Sequence, residues 1–283
     1  MSAELARTIR AVREAVARRR RAGDVIGLVP TMGALHEGHG RLIEVARGEC
    51  GCVVVSIFVN PIQFDRKDDF DRYPRTLDAD LAFCAERGAD IVFAPEAAEM
   101  YPRPPRAFVD VEGLTEHLCG RFRPGHFRGV ATVVAKLLHI VQPDRAYFGQ
   151  KDAQQLAVIR RMVADLDLPV AIVGVETVRE PDGLALSSRN RRLSSEQRAV
   201  ATVLYSGLRL AEDLIRRGAR DPEAVKREVL AAMARQSEVR VEYLEIVDPE
   251  EIQPVAEIRG PVLVAGAVWL GSTRLIDNLL VEP

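Results

Sequence analysis

Two histidines stand where an apolar, strand-like run gives way to a helical pattern. The segment from Gly27 to His39 begins as a buried-strand pattern, passes through a glycine-containing loop and then turns helical. This order leaves backbone N–H groups at the start of a helix, where α/β proteins bind phosphate. His36 and His39 are three residues apart, so both rings project from one helix face. Two imidazoles there can donate to phosphate oxygens and to charge that develops in a transition state.

Two other interpretations of this pair are open at the level of sequence. The histidines could bind zinc, but no evident third ligand accompanies them. They could also be incidental surface side chains. The four cysteines, Cys50, Cys52, Cys84 and Cys119, lack the paired spacing of a zinc site and are expected to be reduced and buried. We therefore assign no protein metal ligand.

A glutamine follows the second strand-like run. Gln63 is expected at the same sheet edge as the histidines, because the carboxyl ends of parallel strands share one edge. An amide offers two donors and an acceptor, which can hold a hydroxyl and a carboxylate together. The alternative is that Asn60-Pro61 forms a turn that leaves Gln63 exposed.

A second strand-to-helix junction runs from Gly149 to Gln155. It is expected to place Lys151 and Asp152 beside the phosphate site suggested by the first junction. Lys151 offers a point charge for phosphate. Asp152 can accept a hydrogen bond from a ribose hydroxyl, or it could instead cap the following helix.

Ser187, Ser188 and Arg189 lie at the expected start of a second domain. Two hydroxyls and a guanidinium in a loop can bind phosphate oxygens and offset their charge. The alternative is a serine-rich connecting loop without a catalytic role.

The elements that must position these residues can be read from hydrophobic periodicity. The N-terminal part alternates β-branched runs with amphipathic helical stretches, the pattern of a parallel sheet built from βαβ units. Near-continuous apolar character implies burial of the strands on both faces. The predicted strands are 25–29, 53–59, 91–94, 146–148 and 170–175. Helical periodicity is clearest in 130–141 and 156–166.

The pattern changes after the turn-rich stretch 179–183. Two long helices are expected at about 194–217 and 221–236. Strands follow around 240–247, 262–268 and 273–280. They succeed one another without crossover helices, which favours an antiparallel sheet.

These patterns predict an α/β fold with two domains. Residues 1–177 would form a Rossmann-like parallel-sheet domain that carries the catalytic and binding groups. Residues 178–283 would form a smaller α+β domain that closes over the nucleotide site.

Composition and charge exclude several classes of function. The 283 residues include 39 Lys and Arg against 41 Asp and Glu, a formal net charge of -2. This balance provides no overall field for a polyanion, so nucleic acid is not expected as a partner. The N-terminus is charged rather than an apolar signal core, and no apolar run approaches the roughly 20 residues that span a bilayer. The sequence favours a cytoplasmic protein without a membrane partner.

The motifs together resemble a known family. His36-x-Gly38-His39 is similar to the signature of the nucleotidyltransferase superfamily, which includes class I aminoacyl-tRNA synthetases. The longer run from Pro30 to His39 resembles the pantoate–β-alanine ligases, also called pantothenate synthetases. Further stretches agree with that family in the same order: 56–64, 73–76, 149–155 and 186–190. The resemblance spans nearly the whole chain.

The resemblance implies an ATP-dependent ligase that joins pantoate to β-alanine through a pantoyl-adenylate, with ATP used as its magnesium complex. It implies that Gln63 and Gln155 bind pantoate and that Gln63 also binds β-alanine. It also implies a homodimer. The implied ATP-binding residues are Met32, Gly33, Ala34, Leu35, His36, Glu37, Gly38, His39, Gly149, Gln150, Lys151, Asp152, Val178, Leu186, Ser187, Ser188 and Arg189.

The resemblance also implies a catalytic set. His39 would act as proton donor beside His36, and Val178 would lie near the adenine. The other members of the set are Lys151, Ser188 and Arg189.

Two positions depart from the family pattern. Gln150 stands where a glutamate is expected before Lys151, which removes one charge near the pocket. Gly40 follows His39 where a bulkier residue is common, and it is expected to weaken its helix by up to about 1 kcal/mol relative to Ala.

Three other polar residues received no site role. His126 precedes a core helix and is left unassigned. Asp78 and Asp80 are expected to be solvent-facing helix carboxylates rather than magnesium ligands, because unpaired aspartates are seldom buried.

Three rival functions remain to be separated. A sister nucleotidyltransferase would transfer AMP to a phosphorylated precursor, but Gln63 and Gln155 stand in place of a second phosphate-binding cluster. A non-catalytic module would bind ATP without consuming it, and it would need neither the histidine pair nor the Ser187–Arg189 loop. A dinucleotide dehydrogenase would need Gly-x-Gly-x-x-Gly spacing, which the first loop lacks.

Overall fold

The computed structural model describes residues 3–283. Its contacts divide the chain into two compact units. The first unit comprises the chain up to Val111, Arg123–Gln150 and Val158–Glu176. The second comprises Glu112–Phe122, Lys151–Ala157 and Thr177–Pro283. The second unit thus takes in two segments of the range that we had assigned to a continuous N-terminal domain, and the contiguous boundary at residue 177 stays a prediction.

The strands form a parallel sheet in the first unit and an antiparallel sheet in the second. The strands are β1 (Glu4–Ala6), β2 (Ile26–Thr31), β3 (Cys52–Ile57), β4 (Ile91–Phe93), β5 (Arg145–Gly149), β6 (Ala171–Val175), β7 (Val239–Val247), β8 (Val262–Leu270) and β9 (Thr273–Val281). Both predicted sheets are confirmed. Strand β1 was not predicted, because three residues are too few to show a period.

Helices connect the strands and cover the sheets. The α-helices are α1 (Ile9–Arg21), α2 (Glu37–Glu49), α3 (Lys67–Asp71), α4 (Leu77–Glu86), α5 (Ala97–Met100), α6 (Leu118–Phe122), α7 (His126–Val141), α8 (Ala153–Asp165), α9 (Ser195–Val200), α10 (Val203–Arg216) and α11 (Pro222–Met233). Short 3-10 turns occupy Pro61–Gln63, Gln150–Asp152 and Ser188–Arg192. In the described part of the chain, none of these helices has the length and apolar character needed to cross a bilayer.

The parallel sheet has the order β1-β4-β3-β2-β5-β6. From β2 the chain moves outward to β3 and β4, whereas β5 pairs on the other side of β2 and is followed by β6. The order therefore reverses between β2 and β5. Ligands of open α/β sheets bind at the carboxyl ends of the strands at such a switch point.

The core of the first unit is formed by the central strands and α2. Val53, Val54 and Val55 of β3 are fully buried, as the apolar run predicted. All four cysteines are free and buried, as expected. Burial raises the pKa of Cys52 to about 11 and that of Cys84 to about 12, so both are protonated thiols.

The second unit packs α10 and α11 against the three-stranded sheet. Their apolar faces meet Val264 and Val268 of β8 in one core. The helix predicted at 194–217 is interrupted: α9 ends at Val200, and α10 begins at Val203. Thr202 and Val203 are adjacent β-branched residues, which lower helix propensity at the break.

Candidate active site

A strained turn leads from β2 to α2. Gly33 and Ala34 both have positive φ, at 80° and 51°. Glycine adopts this conformation freely, whereas Ala34 pays about 1–2 kcal/mol for it. Thr31 steadies the turn, since its Oγ1 accepts from the Gly33 N–H at 3.2 Å and donates to the Ser56 carbonyl at 2.8 Å. The turn brings the chain from the switch-point edge of the sheet into the histidine helix.

His36 and His39 form a reciprocal cap at the N-terminus of α2. The His36 Nδ1 accepts from the Gly38 N–H at 3.2 Å, and the His36 N–H donates to His39 Nδ1 at 3.3 Å. The ring centroids are 4.2 Å apart. A nitrogen that accepts from an N–H carries no proton, so each neutral ring carries its proton on Nε2.

The structure thus brings the two predicted histidines together. The cap sets the tautomer of both rings and makes each Nε2–H a donor at the positive end of a helix dipole. The sequence did not reveal that the imidazoles themselves cap α2, because histidine is an uncommon N-cap residue.

Gly40 provides room for an arginine that ties α2 to α4. Arg87 binds Glu37 and Glu44, each at 2.7 Å, and lies 4.9 Å from the centre of the Phe83 ring. A Cβ at Gly40 would lie 2.7 Å from Arg87 Nη1. The departure at Gly40 therefore has a packing reason, and the Glu37 carboxylate is engaged by Arg87.

Gln63 is buried, with 8% of its surface exposed, so the alternative of an exposed turn residue is wrong. The Asn60 Nδ2 donates to Gln63 Oε1 at 3.0 Å and to the Gly129 carbonyl at 3.2 Å. This leaves the Gln63 NH₂ group directed at the Met32 Sδ, 3.1 Å away. A thioether is a weak acceptor, which a carboxylate can readily replace.

Two residues that we had not assigned support this glutamine. Tyr101 donates to Asn60 Oδ1 at 3.0 Å, and burial raises the pKa of Tyr101 to about 12, so the donor is retained. His126 Nδ1 donates to the Gln63 backbone carbonyl at 2.8 Å. Its Nε2 accepts from Arg123 at 3.1 Å. In the sequence, the position of His126 before a core helix was the one feature that indicated this role.

The Asn60 contact gives a first test. If Gln63 binds pantoate, as the family resemblance implies, replacing Asn60 with alanine removes the donor that orients the Gln63 amide and should raise the KM for pantoate about tenfold, the equivalent of one lost hydrogen bond. The KM for ATP should change less than about twofold, since Gln63 is not expected to touch ATP. Steady-state kinetics with each substrate varied in turn will show this. An unchanged KM for pantoate would contradict the orienting role.

Asp80 does not lie where we expected it. It is 3% exposed, and its carboxylate binds the backbone of the turn after β2. Oδ1 accepts from the Leu35 N–H at 2.8 Å and Oδ2 from the Ala34 N–H at 3.0 Å. Asp78 is exposed, as predicted. The prediction for Asp80 was wrong because helical periodicity does not show that a distant loop supplies hydrogen-bond donors.

The segment after β5 passes from one unit to the other. Gly149 and Gln150 belong to the first unit, and the residues from Lys151 to Ala157 belong to the second. Within the second unit, the Lys151 carbonyl accepts from Asn278 Nδ2 at 2.8 Å.

The two adjacent glutamines in this segment differ. Gln154 is buried, and its Nε2 donates to the carbonyls of Leu114 and His117 at 2.8 Å each. Gln155 is half-buried. Gln154 is therefore held by the fold, and the assignment of Gln155 alone to pantoate stays a prediction.

A hairpin in the second unit carries the serine loop. The Leu186 N–H donates to the Val178 carbonyl at 3.0 Å, which places these two predicted ATP-binding residues side by side. Ser187 follows directly and caps the turn Ser188–Arg192, since its Oγ accepts from the Arg189 N–H at 3.2 Å. The loop therefore contains a capped 3-10 turn.

An ion pair anchors this hairpin to the second sheet. Arg179 binds Asp277 of β9 through two contacts of 2.6 and 3.0 Å, and Asp277 is 5% exposed. The Arg179 guanidinium also lies 4.1 Å from the centre of the Tyr205 ring. Charge-assisted pairs of this bidentate kind fix orientation as well as adding energy.

A stability measurement tests the anchor. Asp277→Asn is expected to lower the free energy of unfolding by about 2 kcal/mol, because the half-buried Arg179 guanidinium loses its charged partner. Chemical denaturation followed by circular dichroism gives the value. Glu257→Gln is the control, because Glu257 pairs with Arg259 at the surface and should contribute less than about 1 kcal/mol. Equal losses in the two variants would refute the anchoring role.

The predicted site residues are divided between the two units. The first unit carries the histidine pair, Gln63 and the Gly149-Gln150 end of β5. The second carries Lys151, Asp152, Gln155 and the hairpin with the serine loop. Among the described residues, no group of three His, Cys, Asp or Glu side chains is arranged to hold a metal ion.

Comparisons with known proteins agree with these features. The sequence profile described as pantoate-beta-alanine ligase matches residues 4–280. A pantothenate synthetase of Moorella thermoacetica is 54% identical over 279 residues, 99% of each chain. The crystal structure of the pantothenate synthetase from Thermus thermophilus is 48% identical, with a TM-score of 0.93 over 99% of this chain and 100% of that one.

A more distant structure was solved with ligands. It is the pantoate-beta-alanine ligase from Francisella tularensis complexed with beta-gamma ATP and beta-alanine, 33% identical, with a TM-score of 0.80 over 99% of this chain and 98% of that one. The profile match, the full-length identity and the parallel sheet with its capped histidine pair lead to one conclusion: the chain belongs to the pantoate-beta-alanine ligase family.

Proposed function

We infer that this chain condenses pantoate with β-alanine, with cleavage of ATP to AMP and pyrophosphate, by way of a pantoyl-adenylate. The observation that carries the proposal is the pair of Nε2–H donors that the reciprocal cap of His36 and His39 creates at the start of α2. Donors fixed before the reaction stabilise charge on the α-phosphate without a reorganisation cost.

In the first step, a pantoate carboxylate oxygen attacks the α-phosphorus of ATP. The new O–P bond forms as the bond to the β-phosphate oxygen breaks, and pyrophosphate leaves. His36 and His39 stabilise the α-phosphate oxygens, with His39 as proton donor. Magnesium arrives with ATP, since phosphate oxygens and waters are its usual ligands, and it neutralises polyphosphate charge.

Gln63 and Gln155 hold pantoate for this attack. The Gln63 NH₂ group now directed at Met32 Sδ turns to the pantoate carboxylate or hydroxyl. A neutral amide suits the task, because a bidentate arginine would hold the carboxylate charge more tightly and weaken it as a nucleophile.

The second unit supplies positively charged groups and the segment that closes over ATP. Lys151, Ser188 and Arg189 bind the polyphosphate, while Val178 and Leu186 line the adenine side of the same hairpin. Closure of residues 178–283 over ATP keeps water from the mixed anhydride.

In the second step, the β-alanine amine attacks the acyl carbon of the adenylate. A C–N bond forms, the C–O bond to AMP breaks, and the amine loses a proton to solvent or to the departing phosphate. Gln63 contacts β-alanine as well as pantoate. The products are pantothenate and AMP.

Mass spectrometry of reactions with each substrate omitted in turn tests this function. Pantothenate and AMP should appear only when ATP, magnesium, pantoate and β-alanine are all present. Pantoyl-adenylate should accumulate when β-alanine is left out. A folded protein that leaves ATP intact in every mixture would refute the proposal, and pyrophosphate release with a different acceptor would indicate a sister adenylyltransferase.

We also propose a homodimer, which rests on resemblance to the family, and a cytoplasmic location. Sedimentation velocity of the purified protein should give a particle of twice the chain mass. A single species of monomer mass across the concentration range would contradict the dimer.

A further inference from the structure

Asp80 is a buried carboxylate with an unusual set of partners. It lies on α4 but binds the turn that leads into α2, through the N–H groups of Ala34 and Leu35. The Thr76 hydroxyl donates to its Oδ2 at 3.2 Å. A buried charge is tolerated when hydrogen bonds compensate its lost hydration, and these three donors do so.

The turn needs such a partner. Ala34 has a φ of 51°, a conformation that L-residues other than glycine avoid. Conformations of this kind persist only where surrounding structure over-determines them. Asp80 binds two consecutive N–H groups of the turn, and its Oδ2 would lie 3.0 Å from a Cβ placed on Gly33, so carboxylate and turn fit closely.

The same turn determines how His36 and His39 are oriented. Leu35, whose N–H is bound at 2.8 Å, directly precedes the N-cap residue His36. The His36 backbone N–H donates to His39 Nδ1, so the orientation of the backbone at 35–36 decides whether the reciprocal cap can form. A change in this backbone would therefore alter the tautomer as well as the position of both rings.

We propose that Asp80 is a positioning residue for adenylate formation: its carboxylate holds the Gly33–Ala34 turn in the shape that lets His36 and His39 cap each other and direct their Nε2–H groups. The inference rests on the proposed roles of the two histidines. Asp80 touches no substrate and acts through the backbone of the turn.

Asp80→Asn tests the inference with little change in volume. An amide presents one NH₂ group to the turn, so one of the two bound N–H groups loses its acceptor. We expect kcat for adenylate formation to fall about 10- to 100-fold, since misplacement of about 1 Å can cost about 100-fold. The KM for pantoate should stay within about threefold, because Gln63 is held by Asn60.

A spectroscopic readout separates positioning from general stability. Nitrogen-15 NMR of labelled histidine should show His36 and His39 with Nδ1 unprotonated in the parent protein, and a mixed tautomer population in Asp80→Asn. Asp78→Asn is the matched control, because Asp78 lies exposed on the same helix and should leave kcat and both histidine spectra unchanged.

The outcomes distinguish a failure of the role proposed for Asp80 from a failure of the roles proposed for the two histidines. Parent-like kcat or parent-like histidine spectra in Asp80→Asn overturn the positioning role. If Asp80→Asn does not fold, Asp80→Glu replaces it, because the longer side chain displaces the carboxylate from the N–H groups of Ala34 and Leu35, and parent-like histidine spectra in that variant overturn the role as well. His39→Ala is measured in parallel: full adenylate formation there refutes the histidine roles themselves, whereas loss there with retention in Asp80→Asn refutes only this inference.

Discussion

Replacing His39 with alanine is expected to lower the rate of adenylate formation about 100- to 1,000-fold, the cost of removing one preorganised donor from developing charge. The same change removes the acceptor of the His36 N–H, so one half of the reciprocal cap of α2 is lost as well, at up to about 1 kcal/mol of stability, whereas the His36 side chain still accepts from the Gly38 N–H. Pantoate-dependent exchange of pyrophosphate into ATP measures the first step alone.

His39→Gln separates the two effects. Glutamine at the third helical position can accept from the N-cap N–H, as in a capping box, so the helix cap should be restored. An amide does not replace an imidazole as proton donor. We therefore expect near-parent stability with exchange still at least about tenfold below parent, because proton transfer by a positioned group contributes at least about 100-fold. Full activity in His39→Gln would show that the imidazole acts only as a cap.

Replacing Gly129 with alanine is expected to lower kcat/KM for pantoate about 100-fold. A Cβ there would lie 2.4 Å from the Ile62 carbonyl oxygen and 2.6 Å from the Gln63 Cα. Both atoms belong to backbone, which cannot move aside as a flexible side chain can. The turn that carries Gln63 must shift, and a displacement of about 1 Å at a substrate-positioning group costs on this order.

Gly48→Ala is the control for this variant. Gly48 lies in α2, and a Cβ there meets no atom within 4 Å. That substitution should raise stability by up to about 1 kcal/mol and leave the kinetics unchanged. Measurement of kcat/KM for pantoate in both variants tests the idea. Parent-like kcat/KM in a folded Gly129→Ala protein would mean that Gln63 does not depend on close packing of α7.

The sequence was a good guide to the strands and to the residues at their carboxyl ends. Apolar runs such as Val53–Val55 identify buried parallel strands, because both faces are covered. The switch point between β2 and β5 then places the histidine turn and Gly149 at one edge of one sheet. Motif and topology agree here because the predicted catalytic and binding residues lie directly at the ends of the strands.

The supporting contacts could not be predicted in the same way. Asp80 binds a turn 45 residues earlier in the chain, and Tyr101 reaches Asn60 over 41 residues. The hydrophobic periodicity of a local segment does not indicate contacts between residues so far apart in the chain. Asp80 therefore resembled its exposed neighbour Asp78 until the fold placed two N–H groups beside it.

The direct test of the account follows the oxygen atoms of pantoate. With pantoate labelled with oxygen-18 in both carboxylate positions, attack on the α-phosphorus makes one labelled oxygen the bridge of the adenylate. Mass spectrometry should then find one label in AMP and the other in the amide carbonyl of pantothenate. Unlabelled AMP, or label released in orthophosphate or pyrophosphate, would contradict the pantoyl-adenylate route.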